Sequence, residues 1–228
     1  MRARIAAAPG RPASHRPAPR RDVLTALAVP SPVVILSGLG APRLGAIAYG
    51  QAVRGDRQAF AAPQCLLGFG DVRAAAHRVG EYVQKVKAKT GARKVSLVGM
   101  SLGGLVGLYY LRCRGGAPHV DLFVSVGGPL NGSAPARALD AAPVEWAHAL
   151  AQTAPDSDFM RELHAAPNPP GVRLVSVGTR GDFVTPRASW EVEGMESIET
   201  PYGLFPFGHW LLFTHPGNQR VVAELLAA

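Results

Sequence analysis

The chain has 228 residues, a formal net charge of +8 and 47% hydrophobic residues. That length and apolar content suit one core-forming domain, and a charged fraction of only 18% excludes wholesale disorder. Two cysteines exclude a disulfide-built scaffold.

From the N-terminus, residues 1–22 carry Arg2, Arg4, Arg11, Arg16, Arg20 and Arg21 against Asp22 alone, interleaved with Pro9, Pro12, Pro17 and Pro19. No apolar period runs through them, so they read as an unfolded basic leader. The rest of the chain holds 18 basic and 15 acidic residues, so the charge there falls to +3. This argues against a nucleic-acid-binding domain, although a basic tail can hold polyanions. Arg20-Arg21 before Val23-Leu24, with Ala26-Leu27-Ala28 beyond, has the outline of a twin-arginine export signal. Its apolar stretch is shorter than the ~7–15 residues of a signal core, and Pro30 and Pro32 break any helix through it. A cytoplasmic protein is the expectation, with export as the alternative. A second uncharged run, 95–111, is shorter than the ~20 residues that span a bilayer. No integral membrane segment is expected.

From Pro32 onward, short apolar runs alternate with helical ones. Val33-Val34-Ile35-Leu36 reads as a buried strand, stopped by the glycine turn Ser37-Gly38-Leu39-Gly40. A helix is expected over 44–53 and a short strand over 58–62. Val72, Ala76, Val79, Val83 and Val86 recur at helical spacing, with Asp71 placed to cap that helix and Gly91 to end it. A strand over 94–98 and a helix over 102–112 follow, then strands over 120–126 and 172–177 and a closing helix over 219–226. Between 133 and 170 the strand pattern lapses. There Val144, Trp146, Leu150, Phe159, Met160 and Leu163 mark short amphipathic helices, either ordinary covering helices or a small lid. Strands that are apolar throughout, alternating with helices, predict an α/β domain with a mostly parallel sheet covered on both faces. The expected organisation is the leader, 1–22, and one such domain, 23–228.

Gly99-Met100-Ser101-Leu102-Gly103 has the form G-x-S-x-G, flanked by a predicted strand and a predicted helix. The pentapeptide alone is weak; its setting carries the signal. A sharp strand-to-helix turn exposes the serine oxygen at the end of a sheet, and the helix N-terminus favours developing negative charge.

These residues, with Val33 to Gly40, the run from Val124 to Ser133, Gly181-Asp182 and Gly208-His209-Trp210, resemble the α/β-hydrolase family and its small bacterial lipases and esterases. The resemblance runs from Pro32 to the C-terminus. It departs from such lipases at Ser37 and Met100, where many carry histidine. It implies Ser101 as nucleophile, followed along the chain by an acid and then a histidine base. Of the seven histidines, His209 and His215 lie late enough. His209 follows glycine in a loop, as in the family, whereas His215 before Pro216 suits a surface or helix-capping role. Asp182, in the loop after the predicted strand 172–177, matches the family's acid. Asp156 and Asp158 better suit a helix cap, and Glu191, Glu193, Glu196 and Glu199 a solvated surface. The oxyanion donors would be the backbone N–H groups of Leu102 and, by resemblance, Leu39.

No His/Cys/Asp spacing suggests a metal site, and Gly38-Leu39-Gly40 lacks the pattern of a phosphate loop, so no cofactor is expected. Cys65 and Cys113 read as free thiols, with a disulfide as the alternative. The expected substrate is a small-molecule or lipid ester, with Leu39, Met100, Trp146, Phe159, Met160, Phe205, Phe207 and Trp210 as apolar candidates for an acyl pocket. Acyl transfer or thioester cleavage would use the same residues. A non-catalytic protein with a polyanion-binding leader is the reading from another class.

Overall fold

A computed structural model of the chain describes residues 30–63, 70–133, 136 and 148–228. The basic leader, Cys65, Val144 and Trp146 lie outside the described residues.

β1 (Val33–Leu36) is fully buried and leads through the turn at Gly38 to α1 (Arg43–Val53) and the short β2 (Ala59–Ala61). α2 (Val72–Thr90) begins where Asp71 accepts a hydrogen bond from Ala74 N and ends at Gly91, whose φ of 71° is the left-handed stop expected of glycine. β3 (Val95–Met100) runs two residues beyond the predicted strand, directly into α3 (Leu102–Cys113). A 3-10 turn precedes β4 (Val120–Val126). Two short helices, α4 (His148–Ala151) and α5 (Asp158–Ala165), occupy the region without strands. β5 (Arg173–Thr179), α6 (Arg187–Trp190), β6 (Glu196–Thr200), α7 (Gly208–Thr214) and α8 (Pro216–Ala227) complete the chain.

The strands form one all-parallel sheet in the order β2-β1-β3-β4-β5-β6. Successive residues of a strand feed opposite faces, as the pleat requires. Val34, Leu36, Leu97 and Phe123 pack with α2, α3 and α5, while Val33, Ile35, Val98, Val124 and Val177 pack with α1, α7 and α8. The architecture is helix–sheet–helix, as the uniformly apolar strands imply. The order reverses between β1 and β3, since β2 lies on one side of β1 and all later strands on the other. In open parallel sheets a crevice opens past the carboxyl ends of the strands at such a reversal.

Several sequence-based expectations are corrected. In the acidic stretch before Pro201, Glu191, Glu193 and Glu196 are exposed as expected, but 196–200 form an edge strand, β6, that was not expected. Its carboxylates pair with arginines: Glu196 with Arg173, and Glu199 with Arg180 and Arg187. α5 is capped by Ser157, which accepts from Met160 N, and not by either aspartate. Phe159, Met160 and Leu163 are buried against α3 and its neighbours, so α5 is a covering helix. Gly103 and Gly107, four residues apart on α3, serve helix-on-sheet packing. A side chain on Gly103 would overlap the carbonyl oxygen of Leu36, and one on Gly107 would press on the Phe123 ring.

Candidate active site

The site sits past the carboxyl ends of the strands, around the reversal. Ser101 joins β3 to α3 at φ 50°, ψ −124°. It is the one non-glycine residue with positive φ among the described residues. Such a conformation costs about 1–3 kcal/mol and persists only where the surroundings over-determine it. The surroundings here do so. Ser101 N donates to Val126 O at 2.8 Å, and Ser101 O accepts from Gly104 N at 2.8 Å. Gly99 leaves no room for a side chain, since a Cβ there would lie 2.5 Å from Gly103 O.

His209 Nε2 lies 3.0 Å from Ser101 Oγ, and His209 Nδ1 lies 2.7 Å from Asp182 Oδ2. The three candidate residues are thus brought into one hydrogen-bonded chain. They come from three elements: the β3–α3 turn, the loop after β5 and the start of α7. His209 is not in a loop, as the sequence suggested, but is the second residue of α7. Gly208 is required before it, because a side chain there would overlap the backbone of Gly181. The imidazole is nearly buried, and its edges meet the rings of Trp210 and Phe213 at centroid distances of 6.1 and 5.3 Å. His215, the alternative base, caps α8 by accepting from Gly217 N at 3.1 Å and stacks on Tyr202.

Asp182 is buried, and its carboxylate is fully engaged. Oδ1 accepts from Val184 N and Thr185 N, each at 2.8 Å. Oδ2 accepts from the Thr185 hydroxyl at 2.7 Å as well as facing His209. The sequence marks Asp182 in this loop but not Thr185. The signal for its role was its place three residues after an aspartate, a spacing at which local side-chain hydrogen bonds recur. Asp156 and Asp158 stand away from this site, where Arg161 pairs with Asp158 at the start of α5.

Leu102 is the first residue of α3, and its N–H belongs to the first turn, which has no intrahelical acceptors. Leu39 follows Gly38, whose hypothetical Cβ would be 2.9 Å from Ser101 Cβ, so the β1 turn passes directly beside the serine. Both leucines line the cleft.

That cleft has a volume of about 320 Å³. Ser101 and His209 line it, with Leu39, Leu102, Leu150, Val184 and Trp210 supplying apolar walls. Of the residues proposed from sequence for an acyl pocket, Leu39 and Trp210 are present. Phe159 and Met160 are core instead, Met100 is buried in the opposite layer, and Phe205 and Phe207 are exposed. Leu150 and Val184 take their place; the first was expected on a covering helix or small lid, and the second lies two residues after Asp182. A smaller apolar cavity under α2 and α3, near Val72 and Val106, holds no titratable group of the site. Among the described residues no cluster of His, Cys, Asp or Glu is arranged to hold a metal ion. None of their helices is long and apolar enough to cross a membrane. Cys113 is a half-buried free thiol far along α3 from Ser101.

Residues 61–139 match the family described as "Putative serine esterase (DUF676)". No curated protein matches the sequence. Among solved structures, the chain is similar to the mature form of the Bacillus licheniformis lipase BlEst2, at 16% identity and a TM-score of 0.67, covering 94% of this chain and 96% of that one. It is also similar to the metagenomic carboxyl esterase MGS0156, at 17% identity and a TM-score of 0.64, covering 98% and 81%. A third similarity is to Aspergillus fumigatus lipase B, at 16% identity and a TM-score of 0.66, covering 87% of this chain but 52% of that one. The parallel sheet, its reversal and these matches agree: the chain has the α/β-hydrolase fold, in the form shared with lipases and esterases.

Proposed function

We propose that this protein hydrolyses carboxylic esters through an acyl-enzyme on Ser101. The observation that carries the reading is the unbroken hydrogen-bond chain from Asp182 through His209 to a serine held in a left-handed strand-to-helix turn. A relaxed serine on a surface loop would need neither the strain nor the two partners.

The geometry supports a reaction in two halves. Ser101 Oγ attacks the acyl carbon while its proton passes to His209 Nε2. Asp182 accepts from Nδ1–H, fixing the tautomer and stabilising the imidazolium. The N–H groups of Leu39 and Leu102 receive the oxyanion, where one such donor is worth about 2.7–4 kcal/mol. Collapse expels the alcohol, which takes the proton from His209. Water then attacks the acyl-enzyme with His209 as base and restores Ser101.

The apolar cleft walls suit an acyl chain and offer little to a charged group, which supports medium-chain or lipid esters as substrates. A fluorophosphonate probe, mapped by mass spectrometry, is expected to modify Ser101 alone. The Ser101→Ala variant is expected to lose nearly all hydrolysis of p-nitrophenyl esters, by about 10³-fold or more. Hydrolysis by this variant at the wild-type rate would refute the assignment. A panel of acyl lengths then reads the depth of the cleft.

A further inference from the structure

We infer that Thr185 is a positioning residue, whose hydroxyl shares the Asp182 carboxylate with His209 and so tunes the histidine as a base. The inference rests on the ester-hydrolase reading above and adds a residue to it.

Thr185 is almost wholly buried, so its hydroxyl must find partners within the protein. Three are in reach: Asp182 Oδ2 at 2.7 Å, Gly127 O at 3.1 Å and His209 Nδ1 at 3.4 Å. The hydroxyl has one proton. The carbonyl of Gly127 and the ionised carboxylate can only accept, so that proton has two competing acceptors. The carboxylate is both nearer and charged, which makes it the stronger one. Asp182 Oδ2 therefore accepts from Thr185 Oγ1–H and from His209 Nδ1–H together.

A carboxylate oxygen that serves two donors gives less to each. With Oδ1 anchored by the N–H groups of Val184 and Thr185, removing the Thr185 hydroxyl leaves Asp182 in place. Oδ2 then acts on Nδ1–H alone and favours the imidazolium. A base that holds its proton more tightly is neutral only at higher pH, so the acid limb of activity moves upward. Other groups facing the ring do not compete with this effect. From α7 it meets Trp210 and Phe213, from the end of β4 Gly127, and from the β3–α3 turn Ser101, all uncharged. Asp182 is the charged side chain hydrogen-bonded to it among the described residues.

A structural role for Thr185 makes a different prediction. A hydroxyl that merely fills space or ties the loop to Gly127 would alter folding stability and leave the protonation of His209 alone.

The test compares wild type, Thr185→Val and Thr185→Ser by kcat/KM against pH on a soluble ester, with fluorophosphonate labelling of Ser101 in each. Thr185→Val keeps the volume and removes the hydroxyl. It is expected to lower kcat/KM at neutral pH by about ten-fold, the scale of one hydrogen bond to a charged group. Its acid limb should move to higher pH, and Thr185→Ser should return the limb to the wild-type position. A limb unmoved in Thr185→Val, or not restored by serine, would overturn the inference. If Thr185→Val does not fold, Thr185→Ala is measured in its place. Failure of both to fold assigns the residue to structure and equally overturns it. Absence of Ser101 labelling in the wild type would instead reject the ester-hydrolase reading itself.

Discussion

At the scale of single residues, Ser101 holds a conformation that its surroundings impose. A φ of 50° with ψ −124° is a region that glycine enters without penalty and serine does not. Ser101→Gly should therefore raise stability by about 1 kcal/mol, after allowing for the entropy glycine loses on folding. It should also abolish hydrolysis. Urea denaturation beside an esterase assay checks both outcomes, and a less stable Ser101→Gly would show that the turn is unstrained. The strand-to-helix turn at Ser101 was legible in the sequence because several independent requirements meet in a few residues: a β-branched strand, glycines where backbone crosses backbone, and an apolar helix. The part played by Thr185 was legible only as its spacing three residues after an aspartate. A threonine after Asp-Phe-Val reads as ordinary loop chemistry, and only the fold brings the end of β4 and the start of α7 around it.

At the scale of elements, α4 and α5 are held over the sheet by two acidic residues. Asp71 caps α2, accepts from Gln152 Nε2 at 2.8 Å and faces His148 in α4. Burial raises its carboxyl, but the hydrogen bonds from Ala74 N, Gln152 and His148 outweigh that and hold it below the usual range. Glu162 in α5 accepts from the Tyr109 hydroxyl and pairs with Arg73 of α2 at 2.7 Å. The Tyr109 bond, opposed by burial and joined by Arg73, holds that carboxyl low as well. The Tyr109 hydroxyl is correspondingly pushed up to about 12, by burial first and then by Glu162. Carboxyl groups lowered in the folded state stabilise it above their unfolded values, near pH ~4, and lose that contribution as pH falls through the folded values. The protection of amides over 148–165, taken against the unstructured-chain exchange rate at the same pH, should therefore fall below about pH 4. Protection there that stays constant down to acid unfolding of the whole chain would contradict this. Asp71→Ala should cost about 1 kcal/mol as a lost helix cap, measured by urea denaturation. It should also speed exchange at 148–153 more than in the sheet. Sequence showed the helices but not these ties, because Asp71 and Glu162 are separated from their partners by dozens of residues. β6 escaped for another reason. An edge strand built of Glu196-Ser197-Ile198-Glu199-Thr200 lacks the continuous apolar run that marked the central strands.

At the scale of the whole molecule, exposed apolar side chains are distributed unevenly. Those that stand large and exposed among the described residues lie past the carboxyl ends of strands. They run from Leu44 and Ile47 at the start of α1 to Phe183, the 202–207 loop and Trp210. Phe183 contacts Phe205 at 6.2 Å and Trp210 at 6.3 Å between centroids, making an aromatic rim on the cleft. Replacing Phe183 and Phe205 together by serine should lower kcat/KM for a dodecanoyl ester by roughly five-fold, about 1 kcal/mol of lost apolar contact. An acetyl ester should be turned over unchanged. An equal loss on both esters would place the rim outside substrate binding.

The parallel sheet also fixes a length. Ser101 leaves β3 and Asp182 leaves the end of β5, with β4 between them. Two strand widths are about 9.6 Å, too far for a hydroxyl and a carboxylate to meet. The imidazole of His209 is a rigid spacer laid across that gap, one nitrogen for each neighbour. Gly127, just past the end of β4, turns at a φ of 58° beside the ring; a side chain there would press on Leu212, 2.8 Å away. The regular pitch of the sheet thereby acts as a ruler, and the imidazole is the piece cut to its measure.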